Sequence, residues 1–307
     1  MKAIKLASVF AVSAVAAAVS TVSVAAEPVF SGTAGLYYTS YEDGATYTDD
    51  DGVEQFYSDN ASSDGEVNII MDTGVVYFDL DMENGSDGGF QLDEAYVTQG
   101  AVQFGDFDGS LIDSAAYSAG VWEDLDDAKF VLGNDLGVRY SVNDSLTVSA
   151  EIAEGENDGS LAVAYETEMA GLTLGVSGGF NLSSDDAKEG KVLTLGVSAP
   201  LGMATLSSFV QVGSTEDQDV MNTGIGIDLP LSDQLSVALQ YYTEGGEVTA
   251  SMVEDDATLT KGADLADKGI TEATVYYAVG DVTYYATYVA KEISDADYSV
   301  IGATVSF

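Results

Sequence analysis

The run YTDDDGVEQF at 47–56 places Asp49, Asp50 and Asp51 side by side, and clustered carboxylates are what a hard divalent cation requires. A calcium loop of the EF-hand type with its glycine at Gly52 needs acids at 47, 49 and 51 and a glutamate at 58. The sequence has Tyr47, Asp49, Asp51 and Ser58 there. That motif fails. A looser Ca2+ site at Asp49, Asp50 and Asp51 stays open, beside a plain solvated charge run. A second acidic stretch, 106–135, carries Asp106, Asp108, Asp113, Glu123, Asp124, Asp126 and Asp127. Paired carboxylates could also serve glycosidase chemistry, but among 52 Asp and Glu close pairs arise by chance, and no motif singles one out. The chain has no His and no Cys. This removes Ser-His-Asp and Cys-His catalysis, imidazole metal ligation and any disulfide framework. No enzyme activity and no cofactor are expected. Nine Lys and Arg against those acids make nucleic acid an improbable partner.

The elements that must carry these acids follow from the hydropathy pattern. Residues 1–26, with Lys2, Lys5, an apolar run and Val24-Ala25-Ala26 at the end, have the layout of a secretory signal peptide. Residues 27–307 form one domain in this reading. Within it, apolar residues alternate with small or polar ones. In LTLGVSGGF, Leu172, Leu174, Val176, Gly178 and Phe180 share one face, against Thr173, Gly175, Ser177 and Gly179. A period of two places one set on each side of a β-strand. The pattern predicts sixteen strands, at 29–40, 65–72, 75–82, 90–98, 101–105, 136–143, 146–153, 160–167, 172–181, 190–198, 203–212, 221–229, 235–243, 270–279, 282–291 and 297–307.

The connections alternate between tight turns such as DTG, TQG, NDS and VGD and longer acidic loops. An even strand number with short turns at one end and long loops at the other describes an up-and-down transmembrane barrel. A soluble β-sandwich or secreted β-solenoid would carry Lys, Glu and Thr on its outer face. Here the apolar face is nearly free of charge along most strands, and Tyr37, Tyr38, Tyr140, Tyr165, Tyr241, Tyr276 and Tyr277 near strand ends suggest an interfacial aromatic girdle. The last strand, DYSVIGATVSF, must pair with the first, so that no backbone edge is left in lipid.

Several segments together resemble the Gram-negative general porins. LDEAYVTQGAVQFGDFDGSLIDS (92–114) resembles that family's fourth and fifth strands running into its third external loop. LGVRYSVNDSLTVSAEI (136–152) resembles its sixth and seventh strands, and the terminal VSF resembles its assembly signal. The resemblance implies a sixteen-stranded barrel whose third loop folds inward as a constriction. It also implies a homotrimer, surrounded by outer-membrane lipid and lipopolysaccharide and passing small ions and solutes. The pore residues would be Asp79, Asp81 and Asp93 on the wall, with the acids of 106–135 facing them. In the family a basic cluster on the wall opposes the loop acids. Here no Lys or Arg occurs from Glu27 to Ala128, and the family's PEFGG motif is absent. Arg139, the single arginine, alternates with Val138 and Tyr140 and should point inward. The SAAYSAGVW core of the loop favours inward packing, since a solvated loop has no need of Val121 and Trp122. The expected function is a cation-preferring passive channel. A substrate-specific channel and a secreted acidic β-protein are the alternatives. Tyr285, Tyr242 and Tyr77 hint at lumen aromatics that a sugar channel would use.

Overall fold

The computed structural model describes residues 28–42, 46–48, 54–83, 91–107, 109–122, 136–152, 159–182, 190–215, 218–247, 268–292 and 297–307. The first half of the chain forms β1 (Val29–Tyr41), β2 (Thr46–Thr48), β3 (Glu54–Phe56), β4 (Asn60–Asp72), β5 (Val76–Glu83), β6 (Gln91–Gln99), β7 (Val102–Asp106), β8 (Leu136–Asn143) and β9 (Leu146–Ile152). The second half forms β10 (Gly159–Met169), β11 (Leu172–Leu182), β12 (Gly190–Leu201), β13 (Ala204–Thr215), β14 (Gln218–Pro230), β15 (Leu235–Gly246), β16 (Lys268–Val279), β17 (Val282–Lys291) and β18 (Tyr298–Ser306). Sixteen of these close into one antiparallel barrel, in which every strand neighbours those before and after it and β1 pairs with β18. The expected sixteen-stranded barrel is therefore the fold. The short β2–β3 hairpin, in the first long connection, was not legible in the alternation pattern.

Closure is complete along the seam. Thr33 to Tyr41 pair with Ser306 to Tyr298, and Gly32 and Phe307 add a further two backbone hydrogen bonds. Every inter-strand N–H and C=O in such a ring finds a partner, which is what a lipid surrounding demands. The tight turns show why their residues were chosen. Ala170 and Gly171 have φ of 55° and 82°, the two left-handed positions of a hairpin turn whose twist matches the flanking strands. Gly100, Gly202 and Gly280 occupy the same left-handed region.

Alternation sorts the side chains. Leu36, Leu161, Leu195, Ile225, Tyr284 and Ile301 lie on the outside and are exposed, while Ser160, Ser177, Thr194, Gln211, Gln240 and Thr274, on the opposite faces of their strands, are buried inside. This is the reverse of a soluble sheet, with an apolar exterior and a polar interior. Tyr38, Tyr140, Tyr165, Tyr241 and Tyr277 are exposed on the outer face, as a girdle requires. Tyr37 and Tyr276 correct that expectation. Each is one residue out of phase with an outer tyrosine, so the pleat turns it inward, where both pack against an internal cluster of Phe209, Tyr242, Ile270, Tyr285, Val289, Tyr298 and Val300. Among the described residues no helix is long and apolar enough to cross a membrane.

Candidate functional site

The segment after β7 runs along the inside of the barrel. It begins at Phe107 and makes one 3-10 turn at Leu111–Asp113, capped by Ser110, whose hydroxyl accepts from Ile112 N. The buried carboxylate of Glu151 on β9 anchors this turn. It accepts from Ser110 Oγ (2.7 Å), Ser149 Oγ (2.7 Å), Ser160 Oγ (2.8 Å) and Leu111 N (3.4 Å). Four donors make the burial of a charge tolerable where an unpaired one would not be. Ser177 on β11 then donates to Ile112 O and accepts from Ala115 N. Farther along, Ala119 N donates to Gln240 on β15, Gly120 N to Asp228 on β14, and Trp122 N to Thr274 on β16. All these partners sit on the face opposite the exposed Val176, Leu239 and Val275. The segment 109–122 is therefore inside and spans the wall from β9 to β17.

Missing side chains on the wall make room for it. A Cβ at Gly179 would lie 2.8 Å from Ile112, one at Gly226 would lie 2.6 Å from Ala119 Cβ, and one at Gly196 would overlap the Ala115 carbonyl. Glycine in a strand interior often marks close approach of another backbone, and this was the overlooked signal for the path of the segment. At its far end Trp122 stacks on Tyr285, with ring centroids 4.5 Å apart, and meets Tyr37 edge-on at 5.4 Å. Tyr117 donates to Glu166 at 2.6 Å. Burial, then that carboxylate, raises the pKa of its phenol.

Arg139 points inward as the alternation implied. Its guanidinium lies 4.0 Å over the Phe107 ring and donates to Gly109 O. It thus braces the root of the inward segment through a ring and a carbonyl. Phe107 stacks on Tyr96 and Tyr96 on Tyr77, at 5.3 and 4.8 Å.

The arc β4–β6 carries the wall acids. Asp79 and Asp81 share the inward face of β5 with Tyr77, and Glu66 and Asn68 of β4 stand opposite Glu83 and Asp81. A bulge changes the expectation for β6. Asp79 pairs with Glu94 and Leu80 with Leu92, so Asp93 is the extra residue and Glu94 holds the inward position opposite Asp79. Asp106 pairs with Ala95 and Leu136, in the outward register shared with Phe104. Asp113 closes the 3-10 turn. Asp108, Glu123, Asp124, Asp126 and Asp127, and the calcium candidates Asp49, Asp50 and Asp51, lie outside the described residues. Among the described residues no group of three or more His, Cys, Asp or Glu is arranged to hold a metal ion.

No protein-family model and no curated protein matches the sequence. Solved structures do. OmpF of Salmonella typhi in complex with daunomycin matches with a TM-score of 0.66 at 10% identity, over 92% of this chain and 98% of that one. A loop L8 deletion mutant of OmpT, an outer membrane protein of Vibrio cholerae, matches with a TM-score of 0.64 at 14% identity, over 92% and 100%. The outer membrane channel DcaP of Acinetobacter baumannii matches with a TM-score of 0.63 at 14% identity, over 93% and 99%. At such identities the likeness shows the fold, a closed barrel shared with porins and outer-membrane channels.

Proposed function

We propose that this protein is a passive channel of a Gram-negative outer membrane, conducting ions and small hydrophilic solutes with a preference for cations. The observation that carries the reading is the inverted barrel, whose outside is apolar and whose inside is lined by hydroxyls, amides and carboxylates. Sixteen strands leave an aqueous lumen, where a barrel of about eight is filled by side chains. The segment 109–122 narrows that lumen from the β9–β17 side, and the carboxylates of Glu66, Asp79, Asp81 and Glu94 face it from β4–β6. No Lys or Arg lies from Glu27 to Ala128 to oppose them. Carboxylates in a low-dielectric tube focus a negative potential and concentrate cations. A homotrimer in lipopolysaccharide-containing membrane is the assembly we infer, since a trimeric form is described for the similar OmpT.

The test is the zero-current potential across a planar bilayer in a KCl gradient. Cation preference is expected at low salt, fading toward 1 M as the screening length falls from roughly 8–10 Å to about 3 Å. Anion preference at low salt would overturn the assignment of the wall acids. A barrel that inserts without conducting would overturn the channel itself. A sugar-specific channel has one observation in its favour, the inward Trp122, Tyr285 and Tyr37 rings. Saturable block of the ion current by oligosaccharides would select it.

A further inference from the structure

We propose that Trp122, Tyr37 and Tyr285, with Asp64 beside them, form a lumen subsite for a methylated ammonium group on an organic solute. The inference rests on the reading of the barrel as a cation-preferring channel and names a class of organic cation that its lumen holds. The floor of the subsite is built on a missing side chain. Gly302 of β18 pairs with Tyr37 of β1 on one side and with Tyr285 of β17 on the other. A Cβ at Gly302 would lie 2.5 Å from Cζ and Oη of Tyr285, so that ring lies over the glycine. Trp122 stacks on Tyr285, with centroids 4.5 Å apart and planes at 20°, and meets Tyr37 at 5.4 Å and 61°. The stack turns one face of the indole toward the wall. Trp122 and Tyr37 are only half-buried, and their planes form a corner that opens to the lumen.

Charge says what the corner takes. Among the described residues, the carboxylate acting on Tyr285 is Asp64. Those acting on Tyr276, whose ring lies 6.4 Å from Tyr285, are Glu272 and Asp228. Asp64 and Ser62 share the inner face of β4, opposite Gly35 and Tyr37 of β1, and both are exposed. Electron-rich ring faces in a negative field attract a cation and give a neutral solute no such gain. A metal ion or a primary ammonium is strongly hydrated and needs oxygen ligands or acceptors in place of its water, where this corner offers chiefly rings. A methylated ammonium is weakly hydrated, spreads its charge over C–H groups and is large enough to touch the indole and the Tyr37 ring together. The subsite needs no unpaired acid. Asp64 already accepts from Gly65 N at 2.8 Å and acts through its charge.

Trp122 is the only tryptophan, so its emission reports on this corner. The experiment titrates the refolded barrel in detergent with choline and, separately, with maltose and with dimethylbutanol, the neutral isostere that has carbon in place of the charged nitrogen. A saturable change in Trp122 emission is expected with choline, and none with the alcohol at the same concentration. Tyr37→Leu and Asp64→Asn should each weaken choline binding roughly threefold to tenfold. Asp64 is exposed, so its amide variant should fold as the parent does. Equal binding of choline and the alcohol would make the corner merely apolar. Saturation by maltose in place of choline would give it to a neutral pyranose, and indifference to both substitutions would put choline elsewhere. Each of these results overturns the proposal. Binding is read without conduction. Failure of the channel reading therefore shows separately, as a barrel that binds choline but passes no current.

Discussion

Phe307 and Gly32 exchange both backbone hydrogen bonds, at 3.1 and 3.0 Å, making the last residue of the sequence a rung of the barrel seam. A Cβ added at Gly32 would overlap the Glu66 carbonyl of β4 and meet the Cζ of the Phe307 ring at 2.8 Å. Deleting Phe307 removes both bonds, and Gly32→Val crowds β1 from both sides, against the Glu66 carbonyl and the Phe307 ring. Each change should lower barrel stability by about 1–3 kcal/mol. The readout is the fraction of heat-modifiable protein on unboiled gels after refolding, and undiminished yield in both variants would show the terminal rung to be dispensable.

Arg139→Ala should loosen the root of the inward segment. A cation–π contact and a charge-assisted bond to a carbonyl are together worth about 1–3 kcal/mol. Open-channel noise should rise and the zero-current potential should shift further toward cations, because the substitution also deletes a positive charge from the lumen. Arg139→Lys should restore the charge without the planar stacking. It should therefore recover selectivity more than quietness. Unchanged noise and selectivity in Arg139→Ala would remove the bracing role.

Gly196→Val should lift the inward segment off its wall, since even a Cβ there overlaps the Ala115 carbonyl. Overpacking of this kind costs typically 1–3 kcal/mol, and the segment can yield more readily than the barrel. Trp122 is the only tryptophan, so its fluorescence reports on docking against Tyr285. A red-shifted emission with unaltered heat-modifiability is the expected pair of results. Emission identical to the parent would mean that the segment does not depend on this contact.

Asp59 ties the outer end of β1. Its carboxylate accepts from Tyr38 Oη, Ser40 Oγ and Tyr41 N, and these bonds, the Tyr41 amide first, hold its pKa below the usual value. A depressed folded-state pKa gives stabilisation that is present above the unfolded value of about 3.9 and lost as pH falls through the folded one. Protection of the Tyr41 amide, corrected for intrinsic exchange, should be constant from pH 7 to 5 and drop below about pH 4. Asp59→Asn should show low protection throughout. A pH-independent profile in the parent would detach the loop base from this titration.

Much of the barrel was determined by the sequence alone, because a pleated strand sends neighbouring side chains to opposite faces. Val176 and Ser177, or Leu239 and Gln240, declare the outside and the inside by type. The turn at Ala170–Gly171 and the inward aim of Arg139 follow from the same local rules. What those rules cannot reach is a segment without period. Residues 114–122 read as apolar enough to pack. Their actual partners, Ser177, Asp228, Gln240 and Thr274, lie 62 to 152 residues away, and only closure of the ring brings them together. The same holds for Glu151, an unremarked acid in a strand until three serines and a turn converge on it. Asp93 and Glu94 exchanged roles for a related reason. A single bulge shifts the phase of β6, and nothing in the alternation marks where the extra residue falls. Strand faces are set by geometry within a few residues, whereas the wall a loop leans on, the acids it buries and the phase beyond a bulge are set by contacts between strands distant in the chain.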